Sequence, residues 1–150
     1  MIRITRVLSA LSLAAVPLFS AVAQADDEDT IAYRKHIMKT LDEQTAAIGM
    51  IFSGAIPDTN LQLHLDAIAT TAAMGLSAFE PNVPGGDSMP EVWSNWDDFA
   101  KRMNEFAAKT ANMAKVAREQ GTDHAAELAI DALDCKSSHK LYNSKRSDDE

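Results

Sequence analysis

From Trp93 to Ala117 the apolar side chains return every three or four residues: Trp93, Trp96, Phe99, Met103, Phe106, Met113 and Ala117, with Thr110 the one polar member. This is the period of one face of an α-helix, and no two-residue alternation competes with it. A stripe of this length, holding both tryptophans of the chain, must be covered by other helices. Pro90 suits the first turn of such a helix, and Gly121 closes it.

Three further segments share the period. The first runs from about Thr30 to Ser53, where Ile31, Met38, Thr45 and Phe52 recur with Arg34, Leu41 and Ile48 interleaved; Gly54 and Pro57 end it. Arg34 is a charge on a mostly apolar stripe. The second runs from about Asn60 to Phe79, with Leu61, Leu65, Ile68, Ala72 and Phe79 on one side and Asp58 or Thr59 as its cap. Pro81, Pro84, Gly85 and Gly86 make the next stretch, to Met89, a loop. The last helix is expected from Thr122, its cap, to about Ser144, with Ala125, Leu128, Ala132, Cys135, His139 and Tyr142 on one face. Short connections between similar amphipathic helices predict an all-α, antiparallel, up-down-up-down four-helix bundle over residues 26–144. Residues 145–150 read as a charged, frayed tail.

The bundle is preceded by an export signal. Arg3 and Arg6 give a positive start, the run from Val7 to Val22 is mostly apolar, and Ala23-Gln24-Ala25 has the small-x-small form cut by signal peptidase. The run is too short and too rich in Ala and Ser to span a bilayer comfortably. Cleavage is expected after Ala25, with a periplasmic product. Loss of Arg3 and Arg6 takes 14 Lys and Arg to 12 against 22 Asp and Glu, a formal charge of −10. Such a surface repels nucleic acid and anionic lipid and suits a basic partner protein.

Cys135 is the only cysteine, so no internal disulfide can brace the fold. Four residues on, His139 shares its helical face. A histidine on a core face needs partners for its ring nitrogens, and the small residues Ala125 and Ala132 upstream leave room beside the helix for something large. Cys135-Lys-Ser-Ser-His139 differs at one position from Cys-x-x-Cys-His, the c-type haem attachment motif, in which the cysteines add to the porphyrin vinyl groups and the histidine binds iron. Ser138 stands where the second cysteine would be and forms no thioether.

Several motifs in order resemble the class II c-type cytochromes, the cytochrome c′ and cytochrome c-556 group, over essentially the whole of residues 26–144. They are Tyr33-Arg34 with Met38, the glycines Gly49 and Gly54, Phe79-Glu80-Pro81 with Gly85-Gly86, Trp93 to Phe99, and Cys135 to Tyr142. The resemblance implies one haem, with His139 as the proximal iron ligand, Cys135 as a single thioether, and Arg34 pairing with a propionate. It implies Met38 as the sixth ligand in the c-556 manner or as a residue crowding an open sixth site in the c′ manner. Trp93 and Phe99 would wall the pocket, and Tyr142 completes the motif. Asn143 departs from the arginine often found there; Lys145 and Arg146 stand near enough to substitute in part. His36, His64 and His124 are expected to face solvent.

No Ser/His/Asp order or paired carboxylates stands out on one face, so an electron carrier or haem-binding protein is expected rather than an enzyme. Redox proteins are its expected partners, and family members often form homodimers through their first two helices. Three alternatives remain open: a haemless bundle that binds a partner, haem held without a covalent bond, and a small gas such as nitric oxide at an open sixth site.

Overall fold

The computed structural model describes residues 26–145; the expected signal segment 1–25 and the tail beyond Lys145 lie outside the described residues. The described residues form six α-helices: α1 (Asp27–Phe52), α2 (Leu61–Gly75), α3 (Glu91–Ser94), α4 (Trp96–Gln120), α5 (Thr122–Ala132) and α6 (Lys136–Tyr142). Three-residue-turn helices at Asp58–Asn60 and Leu76–Phe79 extend α2 at both ends. The architecture is the expected four-helix bundle, its fourth member being α5 and α6 together. None of these helices is long and apolar enough to cross a membrane.

The helix α1 begins earlier than its apolar stripe. Asp26 caps it by accepting from the Asp29 N–H at 2.8 Å, and Asp27, Glu28 and Asp29 fill the first turn. Carboxylates there meet the positive end of the helix dipole, which favours helix before Thr30. At the other end Gly54, at φ 76°, lets Ala55 return its N–H to the Met50 carbonyl.

The expected caps of the second and fourth helices serve each other instead. The Thr122 hydroxyl donates to Asp58 Oδ2 at 2.8 Å, tying the start of α5 to the turn before α2. The third and fourth helices are also broken. Asn95, at φ −124° and ψ 46°, separates α3 from α4. Leu133 to Cys135 separates α5 from α6, where Asp134 and the serines beyond it favour local side-chain bonding over helix interior.

Ile48 from α1, Leu65 and Ile68 from α2, and Met113 from α4 are fully buried. Each contributes roughly 1.5–3 kcal/mol by leaving water, so the best-packed part of the core is the junction of these three helices. Ala125 is sealed against this core, and its small side chain serves the close packing of α5 on α4. The helix α1, by contrast, packs on α2 and touches α5 and α6 little. A cleft opens on that side.

Candidate functional site

The cleft has a volume of about 1460 Å³, above the roughly 300–1,000 Å³ of ordinary small-molecule pockets. Arg34, Met38, Leu41 and Thr45 line it from α1, and Phe99, Met103 and Phe106 from α4. Cys135, Ser138, His139 and Tyr142 line it from the opposite end of the chain. Six of the seven residues singled out in the sequence, Arg34, Met38, Phe99, Cys135, His139 and Tyr142, therefore meet at one cavity. Trp93 is not on its wall. It stands behind Arg34.

Arg34 is the most constrained of these groups. It is 2 % exposed, and burial lowers its pKa from the ordinary arginine value. Its Nη2 donates to the Val83 carbonyl at 2.7 Å. The guanidinium carbon lies 5.1 Å from the Trp93 ring centre and 5.5 Å from that of Phe79. The Trp93 indole N–H donates in turn to the Phe79 carbonyl at 2.9 Å, which fixes the two rings relative to each other. Nε and Nη1 of Arg34 are buried and have no hydrogen-bond partner among the described residues. A buried cation with two idle donors is costly unless an anion meets it.

Cys135 caps α6, and its carbonyl accepts from the His139 N–H at 3.0 Å. The two side chains are thus kept one helical turn apart despite the break before Cys135. Tyr142, 5 % exposed, closes α6. Its hydroxyl donates to Asp98 Oδ2 at 2.6 Å and accepts from Asn95 Nδ2 at 3.1 Å. Arg102 Nε donates to the same Asp98 oxygen at 2.6 Å. Hydrogen bonds from Arg102 and Tyr142 hold the Asp98 carboxyl below its usual range, while burial and Asp98 push the Tyr142 phenol up.

The loop after Phe79 joins the two sides of the cleft. It meets α1 through Val83 and Arg34. It meets the end of α6 through the Met89 N–H, which donates to the Tyr142 carbonyl at 3.0 Å, and through Asp87, which accepts from the Ser144 N–H at 3.1 Å. Lys145 pairs with Asp87 at 3.1 Å, and Asn143 lines the cleft. Of the other histidines, His36 is exposed at the mouth and His124 is exposed on α5. His64 is half-buried and bonded to Gln44 at 2.8 Å instead of facing solvent.

The family profile of cytochrome c′ matches residues 29–143, most of the chain and both sides of the cleft. The chain belongs to the cytochrome c′ family. Cytochrome c′ of Alcaligenes xylosoxydans xylosoxydans is 24% identical over 125 residues, 81% of this chain and 98% of that protein. The structure of recombinant native cytochrome c′ from Alcaligenes xylosoxidans superposes with a TM-score of 0.73 at 22% identity, covering 81% of this chain and 98% of that one. A nitrosyl complex of a variant of the same cytochrome gives 0.73 at 23% identity, covering 79% and 97%. These structures share the fold.

Members of the cytochrome c′ family bind c-type haem, and the groups present here fit one. The cleft is large, its interior is mainly apolar, and an imidazole and a thiol stand on one wall. The idle Nε and Nη1 of Arg34 are donors of the kind a buried carboxylate takes. Sequence reasoning missed Val83, Phe79 as a clamp, and the Asn95–Asp98–Arg102 group. Only the four-residue spacing of Asp98 and Arg102 was visible as a pair.

Proposed function

We propose that this protein is a periplasmic electron carrier holding one haem through His139, with a single thioether through Cys135. The observation that carries this reading is Arg34: a guanidinium 2 % exposed, with two idle donors, at the cavity that His139 and Cys135 also line. Its charge and geometry suit a haem propionate. Bound haem would supply the one-electron chemistry of its iron. The chain's own residues bind, orient and exclude water. Phe99, Phe106 and Leu41 give the cleft apolar walls, Trp93 and Phe79 hold Arg34 in place, and His139 offers an imidazole from α6. Met38, on α1, would offer its sulfur to the iron.

Export rests on the segment ending at Ala25, and redox proteins are the partners. A basic partner matches the formal charge of −10 left after cleavage. A second reading, binding of a small gas at an open sixth site, draws support from relatives solved as nitrosyl and carbon monoxide complexes.

The test is expression with the native leader in a host that matures c-type cytochromes, followed by visible spectra and acid–acetone extraction. Colour retained in the wild type and extracted from Cys135→Ala is expected. Colour extracted from the wild type would mean haem without a covalent bond, and a colourless folded product would remove the haem reading. Met38→Ala should turn a low-spin spectrum high-spin; a wild type already high-spin would favour gas binding.

A further inference from the structure

We propose that Asp98 is a positioning residue for the His139 imidazole, acting through Tyr142 as a latch on α6. The proposal rests on the haem reading above for its functional consequence.

A continuous last helix would give His139 its orientation directly from the bundle. The chain does not form one. The stretch from Leu133 to Cys135 interrupts it, and α6 is a separate helix of 7 residues. A helix so short has little stability of its own, so its orientation depends on what holds its ends. The family motif would fix this segment to the porphyrin twice, but Ser138 leaves a single thiol, on the N-terminal side of His139. Something must hold the C-terminal side.

Tyr142 does so. It lies three residues beyond His139, so the two side chains occupy neighbouring positions on α6, and rotation of one carries the other. Its ring packs edge-on against Phe99 with centroids 5.2 Å apart. Its hydroxyl donates to Asp98 at 2.6 Å, a charge-assisted bond of the short, strong kind. Arg102, one turn on from Asp98, donates to the same oxygen at 2.6 Å and keeps the carboxylate ionised. Asn95, at the break between α3 and α4, donates to the tyrosine oxygen at 3.1 Å. The latch is therefore built on the first turns of α4, a long helix of the main core, and it acts on a side chain of α6 beside the backbone bonds that Met89 and Asp87 make to the end of that helix. The peptide bonds follow: the Asn143 N–H donates to the His139 carbonyl at 2.9 Å.

A merely structural contact would alter stability alone. A positioning contact also alters the ligand field of the metal and its potential. Tyr142→Phe removes the donor and keeps the ring; Asp98→Ala removes the acceptor, and Asp98→Asn is the milder version should Asp98→Ala fold poorly. In the haem-loaded protein each variant should change the axial-ligand features of the spectrum and shift the midpoint potential in a common direction. The double variant should go no further than the larger single change, since both act through one bond. Unchanged spectra and potentials in haem-loaded Tyr142→Phe and Asp98→Asn would overturn the proposal. Amide hydrogen exchange in the protein without haem separates this failure from that of the haem reading. Exchange at His139 and Asn143 should accelerate about tenfold or more in both variants, with the α2 amides unchanged, whether or not the wild type takes up haem. Exchange equal to wild type at both amides would overturn the latch by itself.

Discussion

The Arg34 guanidinium carbon lies over both the Trp93 and Phe79 rings, 5.1 Å from the centre of the first and 5.5 Å from that of the second. The rings attract the cation, and the Val83 carbonyl takes one of its donors. Neither supplies the negative charge that a guanidinium 2 % exposed requires. Arg34→Met fills a similar volume without the charge. In the protein without haem it should raise stability by about 1 kcal/mol, the relief of stranded donors outweighing the lost ring contacts and the lost bond to the Val83 carbonyl. Haem uptake should weaken in the same variant. Urea denaturation and haem titration read the two effects, and their opposite signs mark Arg34 as a ligand-binding charge. Loss of stability without haem would mark it as a structural one.

Asp98 and Tyr142 give stability a pH dependence with two limbs. The Asp98 carboxyl is held low in the folded protein, chiefly by the hydrogen bonds from Arg102 and Tyr142. Its contribution is therefore complete above the unfolded carboxylate pKa of about 4 and is lost as pH falls through the lower folded value. The Tyr142 phenol is held high, chiefly by burial and then by Asp98. Its contribution is complete below about pH 10 and is lost as pH rises through the folded value. Denaturation midpoints across pH should show Tyr142→Phe removing the alkaline limb and flattening the acid one. Asp98→Asn should remove its share of the acid limb.

A Cβ added at Gly75 would lie 2.5 Å from the Met103 Cε. Gly75 is buried on α2, and Met103 lines the cleft from α4. The helix gains about 1 kcal/mol from alanine over glycine, and the flexible thioether end can move at modest cost. Gly75→Ala should therefore leave the stability of the protein without haem within about 1 kcal/mol of wild type. The displaced methyl has the cleft to move into, so haem uptake should weaken several-fold. A haem titration beside a urea melt checks both; undiminished uptake would mean that Met103 finds room elsewhere.

The fold was largely legible in the chain. The stripe from Trp93 to Ala117 and the series Leu61, Leu65, Ile68, Ala72 and Phe79 carry the helical period because those faces pack on other helices. The breaks were not legible. Ala125, Leu128 and Ala132 of α5 continue into Cys135, His139 and Tyr142 at helical spacing across the junction, so periodicity alone reads α5 and α6 as one helix. The caps failed for a related reason. Asp58 and Thr122 both have cap chemistry, and their partnership spans 64 residues.

By itself the amino-acid order determined which residue types stand on which helical face: a charge on the α1 stripe at Arg34, and a thiol and an imidazole one turn apart at Cys135 and His139. Local spacing suffices for that, because a helix repeats every few residues. Only the tertiary structure decided that Arg34 would have two idle donors at a cleft and that Trp93 would back it instead of forming the wall. It also decided that α6 would hang from Asp98 through Tyr142. Those outcomes depend on contacts between distant segments, where the angle of approach and the space left over are set by the packing of the whole bundle.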